Sequence, residues 1–439
     1  VVGGGVGGSS VSYFLRERLT ESDTIDVFEQ SDRIGGRVRS KRFCGHSYET
    51  GASIIHSKNK YAASFAQKFG LTKRPNSRST LGIFDGSEFI FIENKYDFIT
   101  ILQLFWKYHL DLIKVPLIIE SMMKDFAWIY TLQEEGISFE NVGDLLKSMN
   151  IEFPLLTETS FENYLENEKG IKDKTVKQLL QSITLVNYGQ SVKDLHAFVG
   201  SVAIAGAGGS LWSIYGGNQK LVENLMKAST ANVHLNSTVT KIILLKNGSL
   251  AIVVNDGKLK SMVYDSVVVA TPLLKNTIEF IGFPPRVQNY INSLSEMQYH
   301  TTVATLVAGK INSNFSRKGV DEILTCNSSL FFHSVSKILP VDYNRRMPSG
   351  KDIYKVFSDH QLSKNELEIL FDDSSEVDII DWKAYPHYKN LKILNELPTF
   401  MIYPGVYHVN AIEWAASAME MSFIGGKNVA LLVEKYLKI

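Results

Sequence analysis

The chain has 439 residues, 44% hydrophobic and 21% charged, enough apolar material for two or three packed domains. Forty-six Lys+Arg balance forty-six Asp+Glu, and this zero net charge argues against nucleic acid or an anionic membrane as the main partner. Two cysteines, Cys44 and Cys326, supply neither a disulfide framework nor a zinc-type spacing.

Val1-Val2 followed by Gly3-Gly4-Gly5-Val6-Gly7-Gly8 places Gly3, Gly5 and Gly8 in a G-x-G-x-x-G pattern. Such glycines give a tight turn, a close approach to a pyrophosphate and close helix–strand packing. Ser9 to Leu19 reads as a helix whose N-terminal amides face the phosphates, with Gly7 and Ser9 at the contact. Thr24 to Glu29 is a second strand, and its Glu29 stands about twenty residues past Gly8, where a ribose diol is gripped. Strand, glycines, helix, strand and acid in register predict a dinucleotide site. Next come Gly35 and Gly36, which let backbone pass close to a ligand, and Arg37, which can reach phosphate oxygens. This second glycine pair resembles a signature of FAD-containing amine-oxidase-like enzymes. Gly51-Ala52-Ser53 resembles their small-residue turn under the flavin.

Residues 96–185 are mostly helical by pattern. The best membrane candidate, Tyr96 to Met123, is interrupted by Lys107, His109, Asp111, Lys114 and Pro116, so no transmembrane segment of ~20 apolar residues is expected. Gly206-Ala207-Gly208-Gly209-Ser210-Leu211 is read as a loop, because Leu211 stands at its third glycine position and no acid closes the unit. Val233 to Leu245 alternates like one strand, with Val239 near the adenine, and Asn247-Gly248 marks a hairpin. Val267 to Ala270 is a buried strand stopped by Thr271-Pro272, passing the cofactor again. At the C-terminus Glu413 and then Ala418 to Met421 read as a strand end entering a helix whose N-terminus faces the flavin. Core packing of Met419 and Met421 is the alternative. The expected fold is α/β: a Rossmann-type FAD-binding domain, glutathione-reductase or amine-oxidase-like, with an inserted substrate domain of helices plus β-sheet. Segments 1–85, 206–275 and 401–439 are assigned to the cofactor. A mainly helical 86–205 and a further 276–400 are assigned to substrate.

Several interior stretches narrow this further: Val186 to Ser191, Ala197 to Gly200, Val269 to Pro272, Ala384 to Tyr388 and Glu413 to Met421. With them the chain resembles the prenylcysteine oxidase (prenylcysteine lyase) family. That resemblance implies an FAD enzyme that uses O2 and water to cleave farnesyl- or geranylgeranylcysteine to cysteine, a prenyl aldehyde and hydrogen peroxide. It also implies a lysosomal glycoprotein, with a signal peptide expected upstream and sequons at Asn236, Asn247, Asn314 and Asn327. Peripheral membrane contact stays open. The FAD is expected to be non-covalent, since no cysteine occupies the last hundred residues, where thioether-linked amine oxidases carry theirs.

The reacting carbon would be allylic and next to sulfur, so hydride loss leaves a stabilised cation and no strong side-chain base is required. Catalytic candidates are His56, Tyr188 and His387, with no base assigned and no metal expected. The prenyl tail would lie in an apolar tunnel in the helical region, where Phe105, Trp106, Phe126 and Trp128 are available. The cysteine head would meet His56, Tyr188, Tyr385 and His387. Two alternatives share the cofactor signatures. One is a flavin amine oxidase or desaturase, for which Tyr403, Tyr407 and Trp414 would suggest an amine cage. The other is a non-catalytic prenyl-lipid carrier that keeps FAD for structure.

Overall fold

The computed structural model describes residues 1–438 except 76–78, 208–210, 258, 314–318, 345–350 and 394–396. Gly208 to Ser210 and the Asn314 sequon therefore lie outside the described residues.

A central parallel sheet is assembled from stretches far apart in the chain. Val2 bridges in parallel to both Phe28 and Val269. Strand Asp26–Phe28 pairs outward with Asn232–His234, and Val267–Val269 pairs outward with Val406–His408, whose far edge takes Met401–Tyr403 antiparallel. The N–H of Val2 donates to the Val268 carbonyl and that of Gly3 to the Phe28 carbonyl, each at 2.8 Å. The first residues are thus the middle of the sheet. Helix Val6–Arg16 packs on it between Gln219–Ala228 and Met419–Leu437. Glycines make that packing close: a Cβ on Gly8 would overlap the Gly3 carbonyl, and one on Gly426 would overlap the Ser10 hydroxyl.

A second sheet runs in the order Leu259–Tyr264, Leu250–Asn255, Thr238–Leu244 and Glu279–Ile281. Its hairpin at Asn247-Gly248 is where the turn residues predict it. The single strand expected over Val233 to Leu245 is instead two strands in two sheets. Asn236, at φ 52°, turns the chain between them, held by bonds from Asn236 N–H to the Ser31 carbonyl and from Ser237 N–H to the Glu29 carbonyl, both 2.9 Å. Asn tolerates this left-handed conformation, so the alternation runs through a turn it does not reveal.

The third sheet has seven strands in the order Phe371–Pro386, Tyr299–Ile311, Ile353–Ser358, Ser334–Lys337, Glu322–Thr325, Leu81–Phe84 and Phe89–Ile92. Its last hairpin straddles residue 85. Helices Asp97–Tyr108, Asp111–Phe126, Trp128–Glu134, Val142–Met149, Gln181–Tyr188 and Ala197–Ala205 supply the helical part. No helix among the described residues is long and apolar enough to cross a membrane.

Two buried histidines carry a pH consequence. His196 caps helix Ala197–Ala205: its Nδ1 accepts from Val199 N–H at 3.2 Å, so its Nε2–H donates to the Trp414 carbonyl at 3.0 Å. His408 closes a strand of the central sheet. Burial pushes both down to about 4. The unfolded chain takes up these protons below about pH 6.5, while the folded chain refuses them until about pH 4. Their stabilisation is therefore complete above that unfolded value and is lost as pH falls, on the order of 2 kcal/mol each by pH 5. Urea denaturation of wild type and His408→Leu across this range checks it: the variant loses less stability between pH 6.5 and pH 5, whatever its stability at neutral pH.

Candidate active site

One cavity of about 1700 Å³ passes through both halves of the molecule, well beyond the ~300–1,000 Å³ of a single small-ligand pocket. Its first part is a cradle. Gly3, Gly5, Gly7, Glu29, Gly36 and Arg37 line it, followed by Gly51, Ala52 and Ser53, then Val239, Thr271, Glu413 and Met421. Gly8, Ser9 and Gly35 do not line it. Gly8 and Ser9 are buried in the helix start, and Gly35, at φ 124°, forms the turn behind Gly36.

The glycines fit a bound dinucleotide. Gly36 has φ 54°, and a Cβ there would stand 3.0 Å from the Gly5 Cα. At Gly5 itself nothing lies nearer than 3.8 Å, and φ is −76°. The space a side chain would take at Gly5 is cavity, directly before the N-terminus of helix Val6–Arg16. Glu29 is oriented by its neighbours. One carboxylate oxygen accepts from Gly4 N–H at 2.7 Å, and the other from Ser31 N–H and Oγ at 2.9 and 2.7 Å.

Arg37 differs from expectation. It lines the cavity, but its guanidinium is bound by both oxygens of Glu413 and also donates to the Ala384 carbonyl at 2.7 Å. Glu413 is 2% exposed and needs that charge beside it. Burial alone would lower the Arg37 pKa; Glu413 more than offsets this, and the guanidinium stays protonated. Asn410 donates to Glu413 at 2.7 Å and leaves its Oδ1 buried without a partner in the cavity wall, a ready acceptor for a ligand N–H.

The second part is an apolar arm. Ile119, Met122, Met123 and Phe126 of helix Asp111–Phe126 line it with Tyr130, Val202, Ala203 and Ala205. Phe105 and Trp128, expected here, are 43% and 50% exposed and lie outside the cavity, as does Trp106. Helix Asp97–Tyr108 buries only Tyr108, and the following helix supplies the inner face.

His56, Tyr188 and Tyr385 all line the cavity. The Tyr188 and Tyr385 rings lie 4.8 Å apart, and Tyr188 donates to the Ser417 carbonyl at 3.2 Å. Burial raises both phenol pKa values. His387 is elsewhere. It borders a separate cavity of about 240 Å³, near the Asp359 carboxylate that His333 and His300 approach to 2.6 and 3.1 Å. Burial lowers its pKa. Tyr403, Tyr407 and Trp414 are also outside the main cavity.

Sequence reasoning missed one wall of this cavity altogether. Thr302, Glu322, Ser336 and Lys355 on the seven-stranded sheet line it, together with Glu49 and Arg74. The available signal was Lys355 itself, a charged residue within the buried strand Ile353–Ser358.

A family model described as prenylcysteine lyase matches residues 91–438, and one described as an NAD(P)-binding Rossmann-like domain matches residues 1–69. The chain belongs to the prenylcysteine lyase family. Human prenylcysteine oxidase 1 is 31% identical over 455 residues, covering 98% of this chain and 88% of that protein. Human prenylcysteine oxidase 1-like is 32% identical over 457 residues, covering 98% and 89%. Among solved structures, a putrescine oxidase double mutant superposes with TM-score 0.67 at 13% identity, covering 100% and 98% of the two chains. A CLA-producing fatty acid isomerase from P. acnes gives 0.64 at 12% identity, covering 98% and 96%. These two share the fold.

For this prenylcysteine lyase family member the cradle yields a direct test. Gly5→Val has backbone and protein space for its side chain, so it folds with wild-type circular dichroism. It no longer retains a dinucleotide through gel filtration, because the side chain fills cavity space directly before the N-terminus of helix Val6–Arg16.

Proposed function

We propose that the protein is an FAD-dependent thioether oxidase that cleaves farnesyl- or geranylgeranylcysteine. The carrying observation is the single cavity in which a dinucleotide cradle opens directly into an apolar arm. The second glycine pair supports FAD over a nicotinamide cofactor, since Gly36 packs on Gly5 within the cradle. Neither Cys44 nor Cys326 lines the cavity, which supports a non-covalent cofactor.

A bound FAD would supply the acceptor for hydride from the allylic carbon beside sulfur, with O2 as the final oxidant, reduced to hydrogen peroxide. Water adds to the carbon, the C–S bond breaks, and the products are aldehyde and cysteine with its thiol proton restored. The protein positions and shields. Apolar arm residues exclude water from the tail, and at about 0.8 kcal/mol per CH₂-sized unit a fifteen-carbon tail contributes on the order of 10 kcal/mol before ordering costs. The Tyr188 and Tyr385 rings, in contact with each other in the cavity wall, present C–H and O–H groups rather than a base.

A lysosomal site reached by the secretory route accompanies this reading. Asn236 and Asn247 are exposed acceptors for glycans. The Asn327 amide nitrogen instead donates to the Asp85 carbonyl at 3.1 Å, so a glycan there would have to break that bond. Peripheral membrane contact is supported by Phe98 and Trp106, each 74% exposed, with Ile101, Leu110, Ile113 and Leu117 also exposed. This face spans helix Asp97–Tyr108 and the outer side of helix Asp111–Phe126, which carries the arm, and aromatic side chains suit a lipid interface. Flotation with neutral phosphatidylcholine vesicles checks it: wild type co-floats, and Phe98→Ser/Trp106→Ser does so several-fold less.

Anaerobic addition of farnesylcysteine tests the activity. The oxidised-flavin absorption bleaches, and air restores it with release of peroxide. Met122→Trp, which narrows the arm, raises the KM for farnesylcysteine at least tenfold. Similar identity to prenylcysteine oxidase 1-like, 32% against 31%, favours keeping the carrier reading as the second one, for which farnesylcysteine binds and the spectrum stays unbleached.

A further inference from the structure

The seven-stranded sheet turns a row of charged side chains into the cavity next to the cradle. Across three neighbouring strands the register aligns Glu322 with Ser336 and Ser336 with Lys355. All three line the cavity, joined by Glu49 and Arg74. The row adjoins the flavin turn, because the Lys355 ammonium donates at 3.4 Å to the carbonyl of Glu49, two residues before Gly51.

Lys355 and Glu322 lack the partners that burial demands, whereas Glu49 accepts from Asn218 N–H at 2.7 Å and the Arg74 Nη1 donates to the Leu339 carbonyl at 3.1 Å. Lys355 is 5% exposed, and among the described residues no carboxylate lies within 4.0 Å of its nitrogen. The carboxylate of Glu322 receives one long bond, from the Ser336 hydroxyl at 3.4 Å. The Arg74 Nε and the Thr302 hydroxyl are buried in the same wall without partners. Burial pushes Lys355 down to about 8 and raises Glu49 and Glu322, so each ion is held at a cost. A ligand that supplies counter-charges would recover that cost.

We propose that this wall binds the zwitterionic head of an amino-acid substrate, its α-carboxylate on Lys355 and Arg74 and its α-ammonium on Glu322. The proposal rests on the thioether-oxidase reading and names the part of the substrate that the arm does not hold. Spacing supports it. Glu322 and Lys355 are two strands apart, about 9.5 Å between backbones, with only the short Ser336 side chain between them, which leaves room for the polar head of an α-amino acid between the two charged groups. Charge balance supports it too. Two cations and two carboxylates face the site, so a zwitterion enters without leaving an excess of either sign, whereas a lone amine or a prenyl alcohol satisfies one side at most.

Steady-state kinetics of the FAD-loaded enzyme with farnesylcysteine, its methyl ester and its N-acetyl derivative test this. Wild type shows a KM at least tenfold higher for either blocked substrate, with kcat changed less. Lys355→Met raises the KM for the free acid about tenfold and abolishes the preference for acid over ester, while the preference for the free amine survives. Glu322→Gln does the reverse. If wild type uses all three substrates equally, or if both variants weaken all three alike, the head site is wrong although the thioether reading stands. If wild type oxidises none of them, both fall. The wild-type comparison needs no substitution, so a variant that loses FAD leaves the test intact.

Discussion

The carboxylate of Glu413 is the junction on which the geometry of the molecule depends. At 2% exposure its oxygens need hydrogen-bonding partners within the fold, and those come from distant parts of the chain. Arg37 arrives from the glycine loop after the second strand. The Tyr299 hydroxyl, at 2.9 Å, arrives from the start of the strand next to the edge of the seven-stranded sheet. Asn410 belongs to the C-terminal segment. Arg37 also reaches the Ala384 carbonyl near the end of the longest strand, and the Glu413 carbonyl accepts from Tyr388 at 3.1 Å. Losing one partner would strand a buried charge, so these bonds stand or fall together. The glycine-lined cradle and the seven-stranded sheet therefore meet in one fixed arrangement.

That lock matters because the central parallel sheet is discontinuous in sequence. Its central strand is formed by the first residues, its neighbours come from Asp26–Phe28 and Val267–Val269, and its covering helices lie at both ends of the chain. Close approach of Gly8 to Gly3 and of Gly426 to Ser10 lets helix and sheet pack at a distance no side chain would allow. What lies between these segments is free to build the arm, and Tyr188 and Ser417 touch across the boundary. A cavity continuous from cradle to arm follows from a domain that is interrupted and then closed again.

The readable features were local ones. Glycine spacing, the following helix and the acid at Glu29 are constraints between near neighbours, so the cradle could be traced from residues 1 to 53. Side-chain direction on long apolar helices could not. Asp97–Tyr108 and Asp111–Phe126 carry apolar residues all round, and only packing decides that Met122 and Phe126 face inward while Phe105 faces solvent. His387 sits two residues from Tyr385 at a strand end, yet they serve different cavities. The Glu322–Ser336–Lys355 row is a register property of three strands distant in sequence. A lysine among apolar neighbours marks its own burial; it does not say which acid stands across from it.

The electrostatic character of the lining bears on the kind of chemistry it can support. Tyr188 and Tyr385 hold their protons more tightly than exposed phenols, and Arg37 is kept charged by Glu413. None of these three groups changes protonation near neutrality, so around the cradle they present a fixed set of dipoles and charges; Lys355, on the sheet wall, is the lining group that burial brings down to about 8. General acid–base catalysis needs a group poised near the working pH. A reaction that begins by moving hydride from carbon does not. What it needs is a dry, well-ordered path that holds one C–H bond over the cofactor. A long apolar arm and an anchored polar head would define that position from its two ends, so that binding energy is spent on orientation instead of proton transfer.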